Sequence, residues 1–459
     1  MMEIIENLIA GLWNRSLARS SQGELISGLR FGTLIRDGQV TRSSAVIPHS
    51  KRAEHIAVLG RTGSGKSSLL RYLSQQDIRA DRGFVHFDLH GDTTPWLLGL
   101  LAQEERRRRR DLSERLIIVE PADPEYSIGL NVLEHRGDEQ TFVQVAEFAH
   151  ILKQRWHLDS FGARTEELLR NALLLLSDNN LTLLELSPLL TNAAFRTSCL
   201  RRARNDDART FFETRYDLAS DAMQASFRDA ILNKVSAFTA DPRFRHILGQ
   251  QRSTFSLVDA IDQGFWIILN LNKGRLGEQA TTLGSLFLTK LKNALFSRQG
   301  RTLFTLYCDE LQNLVAFDSG IDTLLSEIRK RTASIVSANQ FLDQYPQQMR
   351  SAILAVGTHV FFQLSSVDAE RIASALDGGK RLAEILKNLP QRHLVLKSGH
   401  HHWQQAVVPQ VGETEGDWAD LYNRCRDRWA KRRTDIEQEI RERRQRATRS
   451  NNEVLRDWE

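Results

Sequence analysis

The feature that most constrains the fold of this chain is a glycine-rich segment, GRTGSGKS, at residues 60–67. It matches the pattern G-x-x-x-x-G-K-[ST], in which glycines let successive backbone N–H groups turn toward a phosphate without side-chain clashes. The pattern needs a strand before it and a helix after it. The apolar run HIAVL at 55–59 predicts the strand, and SLLRYL at 68–73 predicts the helix. An ordinary Gly/Ser turn with an exposed lysine is the alternative, and this setting disfavours it.

The side chains of this loop have distinct predicted roles. Lys66 reaches the β- and γ-phosphates of a nucleotide, and the Ser67 hydroxyl is a ligand for Mg²⁺. The helix that follows directs its N-terminal dipole toward the anion. We therefore predict ATP and Mg²⁺ as cofactors. The predicted nucleotide-binding residues are Gly60, Arg61, Thr62, Gly63, Ser64, Gly65, Lys66, Ser67 and Ser68.

A pair of acidic residues, Asp309 and Glu310, follows a second apolar strand, LFTLYC at 303–308. A carboxylate at this strand end can hold Mg²⁺, and the next one can polarise a water for attack on the γ-phosphate. We assign the first role to Asp309, together with Ser67, and the second to Glu310. The alternative is that the pair caps a strand end, but the phosphate-binding loop favours a catalytic role.

Two further strand ends carry polar residues. The strand SIVS at 334–337 ends in Asn339 and Gln340, and Gln340 is placed to sense the γ-phosphate. The strand GFVHF at 83–87 leads into DLHGD at 88–92. This second segment fits a ligand-binding strand end or a turn with a helix-capping aspartate, and the sequence does not choose between them.

The α/β pattern is interrupted between the loop and the acid pair. From about 126 to 255 apolar residues recur at helical spacing, for example over 142–152, 165–176 and 208–238. We predict an α/β fold with an inserted all-helical domain, a small β-rich N-terminal lead-in and a charged C-terminal helix. The predicted segments are 1–50 (N-terminal helix and β lead-in), 51–125 (first part of the core), 126–255 (helical insertion), 256–410 (second part of the core) and 411–459 (charged helical tail).

Composition narrows the class of protein. The 459 residues include three widely spaced cysteines, which argue against a disulfide framework or a zinc site and fit a reducing cytosol. No stretch approaches the roughly 18 apolar residues of a membrane span. The formal net charge of +5 permits an anionic partner such as nucleic acid without requiring one. The arginine run 106–110 fits a solvated helix end better than a nucleic-acid contact, and we expect no metal at His400–His402.

Taken together, the motifs resemble the HerA/FtsK superfamily of RecA-like motor ATPases, and especially the type IV coupling proteins and their soluble HerA-like relatives. The segments that carry the resemblance, spread over roughly residues 50–400, are GRTGSGKS, DLHGD, IILNLNKGRLG, LYCDELQNL, RKRTASIVSANQFLDQ and VGTHVFFQLSSVDAERIASAL.

The resemblance implies a RecA-like P-loop NTPase core with an all-helical insertion. It also implies a hexameric ring that hydrolyses ATP between subunits and moves DNA through its channel. Lys66, Ser67, Asp309 and Glu310 stand at the family's functional positions. In relatives an arginine eleven residues before the sensor glutamine reaches the neighbouring subunit's site, and here that residue is Arg329.

The chain departs from membrane-bound coupling proteins because no transmembrane helix is predicted. We therefore expect a freestanding cytoplasmic DNA translocase that acts in conjugative transfer or in a defence system. The expected partners are DNA, further copies of the chain, and a nuclease, a relaxase or a secretion component. The alternatives are a nucleotide-gated scaffold that assembles a nuclease or relaxase, and a peripheral secretion ATPase.

Overall fold

The computed structural model describes residues 28–134, 137–156, 162–315, 321–345, 347–414 and 416–456. The predicted N-terminal helix lies outside these residues. The chain divides into two compact units. Of the described residues, the first unit contains 28–85, 301–312, 321–345 and 347–414, and the second contains 86–134, 137–156, 162–300, 313–315 and 416–456.

Thirteen strands are present among the described residues. In chain order they are β1 (Leu29–Arg36), β2 (Gln39–Ile47), β3 (Ile56–Leu59), β4 (Phe84–Asp88), β5 (Leu116–Val119), β6 (Tyr126–Ser127), β7 (Trp266–Asn270), β8 (Phe304–Asp309), β9 (Ala333–Asn339), β10 (Thr358–Phe361), β11 (His393–Ser398), β12 (Gln404–Val407) and β13 (Lys431–Arg432).

The sheet of the first unit runs in the order β2-β1-β12-β11-β10-β3-β9-β8. Strands β10, β3, β9 and β8 are mutually parallel, whereas β11, β12, β1 and β2 add on in antiparallel pairs. All four residues of β3 are buried, as expected for a parallel strand with both faces covered. The β1–β2 turn places Asp37 and Gly38 at positive φ, which is the geometry of a tight hairpin. The predicted β lead-in, β1 and β2, thus forms one antiparallel flank together with β11 and β12.

Helices cover the parallel strands of the first unit. They are the α-helices Lys66–Arg79, Ile321–Lys330, Gln347–Leu354, Ser366–Ala375 and Gly379–Asn388, and the 3₁₀ helices His49–Glu54 and Leu342–Gln344. A short helix, Leu311–Leu314, crosses the boundary between the units. An apolar cluster includes Leu59, Phe361 and Val395 from the strands and Ile372 and Leu386 from the helices.

The second unit is mostly helical. Its α-helices are Thr93–Arg108, Asp138–Trp156, Gly162–Asp178, Leu186–Thr191, Ala193–Leu200, Asp206–Phe211, Asp221–Thr239, Pro242–Leu248, Leu257–Asp262, Lys273–Leu276, Gln279–Ser297, Ala419–Trp429 and Arg433–Arg456, and a 3₁₀ helix spans Leu183–Glu185. Strands β5 and β7 pair in parallel, and β6 pairs with β13. The boundaries of the predicted inserted domain stay a prediction.

Two local predictions are refined by the structure. The predicted helix over 208–238 is broken by a π-helical turn at Phe212–Tyr216 and by an extended Ser220. The periodicity continues through the break because Phe212 and Tyr216 are both buried. In the segment 88–92, the Asp88 carboxylate accepts the backbone N–H groups of Gly91, Thr93 and Thr94. This residue therefore caps the turn and the helix that follows.

A buried ion pair in the first unit joins three separate segments. Arg52 donates from its two terminal nitrogens to the two carboxylate oxygens of Asp77, each at 2.6 Å, and both side chains are fully buried. Arg52 also donates to the Thr305 hydroxyl at 2.7 Å. The Tyr307 hydroxyl donates to Asp77 at 2.6 Å. The helix that follows the phosphate-binding loop is thereby bonded to the strand that carries the acid pair.

We expect Arg52→Met to lower the free energy of unfolding by about 3–5 kcal/mol, because it leaves the Asp77 charge buried without its cation. Urea denaturation followed by circular dichroism measures the change. The control is Lys51→Met. Lys51 pairs with Glu54 at 2.9 Å but its side chain is 55% exposed, so its loss should cost no more than about 1 kcal/mol. Equal effects of the two substitutions would contradict this account of the buried pair.

Candidate functional site

The glycines of the phosphate-binding loop meet strict steric demands. Gly63 and Gly65 have φ of 75° and 119°, in the region that favours glycine. A Cβ at Gly65 would lie 3.1 Å from the Arg392 Cα, and one at Gly60 would lie 2.5 Å from the Phe362 Cβ. Arg392 and Phe362 thus pack closely against the loop, and Gly65 and Gly60 leave room for them.

Three neighbouring segments hold the loop by backbone hydrogen bonds. The Gly60 N–H donates to the Asn339 carbonyl at 3.1 Å, and the Arg61 N–H donates to the Gln363 carbonyl at 2.8 Å. The Arg392 N–H donates to the Ser64 carbonyl at 2.8 Å. The loop therefore has a fixed shape, set by the carboxyl end of β9 and by the segments around Gln363 and Arg392. No sequence pattern indicates these supporting hydrogen bonds.

The Lys66 ammonium lies against the loop itself. It donates to the carbonyls of Gly60 and Arg61 at 2.7 and 3.1 Å. Burial lowers the pKa of Lys66, and the nearby charges of Asp309 and Glu310 act in the opposite direction. The predicted cation of the loop is therefore mostly buried and placed beside both predicted acidic residues.

The predicted metal ligands lie next to each other. The Ser67 hydroxyl donates to an Asp309 carboxylate oxygen at 3.4 Å, although 242 positions separate the two residues. Hydroxyl and carboxylate oxygens suit Mg²⁺, which is commonly held by one or two carboxylates together with phosphates and water. No cluster of three or more His, Cys, Asp or Glu side chains that could bind a metal occurs in the described part of the chain. These oxygens fit a magnesium ion shared with a nucleotide.

Glu310 follows the end of β8 and has a φ of 58°, in the left-handed region. A non-glycine residue in this conformation stores strain that the surrounding structure must offset, and such strain is common at functional sites. The Glu310 N–H donates to the Ala338 carbonyl at 2.8 Å. This bond continues the β8–β9 ladder by one residue, and the left-handed conformation of Glu310 ends the strand directly after Asp309.

The other two predicted site residues lie apart from these contacts. The Gln340 N–H donates to the Gln344 side chain at 2.9 Å. The Gln340 side chain makes no hydrogen bond to the described residues, and its role stays a prediction. Arg329 donates to Glu54 at 3.2 Å, and its side chain is 61% exposed.

Arg329 cannot reach the phosphate-binding loop of its own subunit. It lies just before β9, whose last residue, Asn339, pairs with Leu59 beside the loop. Seven strand residues span about 20 Å, which is far beyond the length of an arginine side chain. Any contact between Arg329 and a nucleotide in such a loop therefore requires a second subunit.

The described residues include no helix that is long and apolar enough to cross a membrane. The three cysteines are buried and form no disulfide.

The chain is similar to one known family in sequence and to several solved structures in fold. The model of the family "Helicase HerA, central domain" matches residues 29–248, slightly less than half of the chain. No curated protein matches the chain.

Two types of solved structure share the fold. The bacterial conjugative coupling protein TrwBdeltaN70 matches with a TM-score of 0.56 and 18% identity, over 87% of this chain and 99% of that one. TrwB in complex with ADP and Mg²⁺ matches with a TM-score of 0.55 and 19% identity, over 86% and 97%. VirB4 of Thermoanaerobacter pseudethanolicus matches with a TM-score of 0.55 and 14% identity, over 84% and 98%. These similarities confirm the predicted RecA-like P-loop fold and, with the family match, the resemblance to HerA/FtsK-type ATPases.

The loop geometry predicts different effects for two glycine substitutions. Gly65→Ala should weaken nucleotide binding by at least about tenfold, because the new Cβ crowds the Arg392 backbone at a φ that alanine rarely adopts. Gly63→Ala is the matched control, because its φ is also positive but no atom lies within 4 Å of the new Cβ. Titration of each variant with a fluorescent ATP analogue measures the affinities. A larger loss for Gly63→Ala would contradict the packing described here.

Proposed function

We propose that this chain is a P-loop ATPase of the HerA/FtsK type, which it resembles. In this proposal it forms a ring, most simply a hexamer, and hydrolyses ATP at its subunit interfaces to translocate DNA. The observation that carries this proposal is the separation within one subunit of the phosphate-binding loop from Arg329. The loop and the acid pair lie together at one end of the parallel strands. Arg329 lies at the other end, where only a neighbouring subunit's nucleotide is within reach.

The nucleotide roles follow from the side chains at the loop. Lys66 would exchange its two carbonyl partners for phosphate oxygens, and loop N–H groups would surround the β-phosphate. Ser67 and Asp309 would hold Mg²⁺, which supplies neutralisation of phosphate charge when bound. The structures of TrwB with ADP and Mg²⁺ and with nucleotide analogues are in keeping with these cofactors.

Two residues then carry out the chemistry of hydrolysis in this proposal. Glu310 orients a water and accepts its proton as the water oxygen attacks the γ-phosphorus and the bond to the β–γ bridging oxygen breaks. Arg329 of the neighbouring subunit stabilises the charge that spreads over the transferring phosphoryl oxygens, a task suited to a planar guanidinium. Gln340 remains our proposed sensor of the γ-phosphate.

DNA is the proposed substrate of the motor. The family matched by residues 29–248 is named for a helicase, and TrwB is named as a conjugative and plasmid coupling protein. The net charge of +5 is compatible with a polyanionic partner. A cytoplasmic location, with a nuclease, relaxase or secretion component as partner, completes the proposal. The buried, unpaired cysteines are compatible with a reducing compartment.

DNA stimulation of ATP hydrolysis tests the proposed function. We expect duplex or single-stranded DNA to increase the rate, and the stimulation to fall steeply as salt rises, because cations on the protein displace counterions from the DNA. Lys66→Ala is the control that identifies the active site, and it should abolish hydrolysis. Hydrolysis that is indifferent to DNA at low salt would reject the translocase and favour a nucleotide-gated scaffold.

Arg329→Ala should leave ATP binding intact and lower the rate of hydrolysis by about 10³-fold or more, as expected for an arginine supplied in trans. Mixing this variant with Lys66→Ala should restore part of the activity, because some interfaces then pair an intact loop with an intact arginine. Arg331→Ala is the neighbouring control and should retain activity. A dead Arg331→Ala with a healthy Arg329→Ala would show that the assignment by spacing is wrong.

A further inference from the structure

The last residue of β9, Asn339, has a buried side chain between two polar partners. Its amide nitrogen donates to the Gln312 side-chain oxygen, and its amide oxygen accepts from the Tyr345 hydroxyl. Asn339 and Tyr345 are each 1% exposed, whereas Gln312 is half-buried. We name this chain of hydrogen bonds the Tyr345–Asn339–Gln312 relay. Each bond fixes the next, because the tyrosine hydroxyl decides which way the asparagine amide faces.

The relay ends beside the turn that carries Glu310. Gln312 is two residues after Glu310, in the short helix Leu311–Leu314 that begins immediately after it. The strained φ of Glu310 is sustained on one side by its N–H bond to the Ala338 carbonyl. On the C-terminal side of Glu310, the hydrogen bond between Asn339 and Gln312 holds the turn in place. Both anchors come from the last two residues of β9.

The same strand end also anchors the phosphate-binding loop. The Asn339 carbonyl accepts the Gly60 N–H, so its backbone contacts the start of the loop while its side chain contacts the acid turn. Asn339 is therefore a common support for the residues that hold phosphate and for the proposed base. An apolar side chain would fill this buried position without the cost of removing a polar group from water. The Asn339 amide is useful here because its hydrogen bonds fix the orientation of the Gln312 side chain.

We propose that Asn339 is a positioning residue for ATP hydrolysis, and that the Tyr345–Asn339–Gln312 relay holds the Glu310 carboxylate where it can orient the attacking water. This inference rests on the proposed function, since it assumes that Glu310 is the base. Asn339 itself does not touch the reacting atoms. Its effect passes through the backbone of the turn from Glu310 to Gln312.

The test removes each end of the relay. Tyr345→Phe deletes only a hydroxyl, and Gln312→Leu deletes the acceptor at a half-buried position. We expect each to lower kcat about tenfold while the KM for ATP changes less than about twofold, because the loop is intact and only the base is misplaced. Gln312→Glu keeps an acceptor for the Asn339 amide and should recover most of the lost kcat.

The matched control is Tyr422→Phe in the second unit, where a tyrosine hydroxyl donates to Asp123 at 3.0 Å. It removes the same group and should leave kcat unchanged. Wild-type kcat in both Tyr345→Phe and Gln312→Leu, in preparations where Glu310→Gln is inactive, would overturn the relay and leave the proposed function standing. Parallel losses in kcat and in ATP binding would also overturn the relay, because they indicate a merely structural role. A wild-type protein that does not hydrolyse ATP would overturn the proposed function, and the relay with it. If Tyr345→Phe does not fold, Gln312→Leu and its rescue decide the question.

Discussion

The active geometry of the first unit depends on the buried pair between Arg52 and Asp77. Asp77 lies ten residues after Ser67 on the same helix, a distance of about 15 Å along its axis. Thr305 lies four residues before Asp309 on β8, about 13 Å along the strand. Arg52 bonds to both Asp77 and Thr305. The helix and the strand are thus tied at one end by an ion pair and meet at the other end at Ser67 and Asp309.

A fully buried charge pair is not the cheapest way to stabilise a core, because removing two charges from water costs several kcal/mol per ion. The benefit of the Arg52–Asp77 pair is that it fixes the relative orientation of the helix and the strand. A bidentate contact with two further hydroxyl partners permits one relative placement of helix and strand, whereas apolar side chains would permit several. The proposed metal ligands, Ser67 and Asp309, need that precision, because they come from segments that are distant in the sequence.

The sequence predicted the parts of the site that obey local rules. The phosphate-binding loop has a fixed spacing, and its flanking strand and helix follow from apolar runs. Other contacts arise only when segments that are distant in the sequence meet in the fold, so no spacing rule predicts them. These are the pairing of Arg52 with Asp77 and the hydrogen bonds of Asn339 with Gln312 and Tyr345. The break after Phe211 was missed for another reason: buried residues keep a helical rhythm through the π turn. The sequence identified Asn339 as a polar residue at a strand end, but it did not predict the partners of its side chain.

The C-terminal tail shows a different limit of sequence reasoning, because apolar residues at helical spacing do not identify the surface that covers them. In the structure, Ile436 and Ile440 are fully buried against Leu184. Glu437 accepts hydrogen bonds from Arg245 at 2.9 and 3.2 Å and lies 2.9 Å from His246. The first turns of this helix are therefore covered by its own chain. Amphipathic periodicity reports that a face is buried, but not what buries it.

The contact between Arg329 and Glu54 has a consequence for the proposed cycle. An arginine that already has a carboxylate partner must release it before it can bind a phosphate on another subunit. An exposed ion pair of this kind is worth about 1 kcal/mol or less, so the exchange lowers the affinity for the second partner by no more than about fivefold. The ion pair between Arg329 and Glu54 therefore opposes the binding of Arg329 to a phosphate only weakly. In the proposed cycle, the Arg329 guanidinium would return to Glu54 of its own subunit when phosphate leaves, so the proposed contact between neighbouring subunits would be reversible at every turnover.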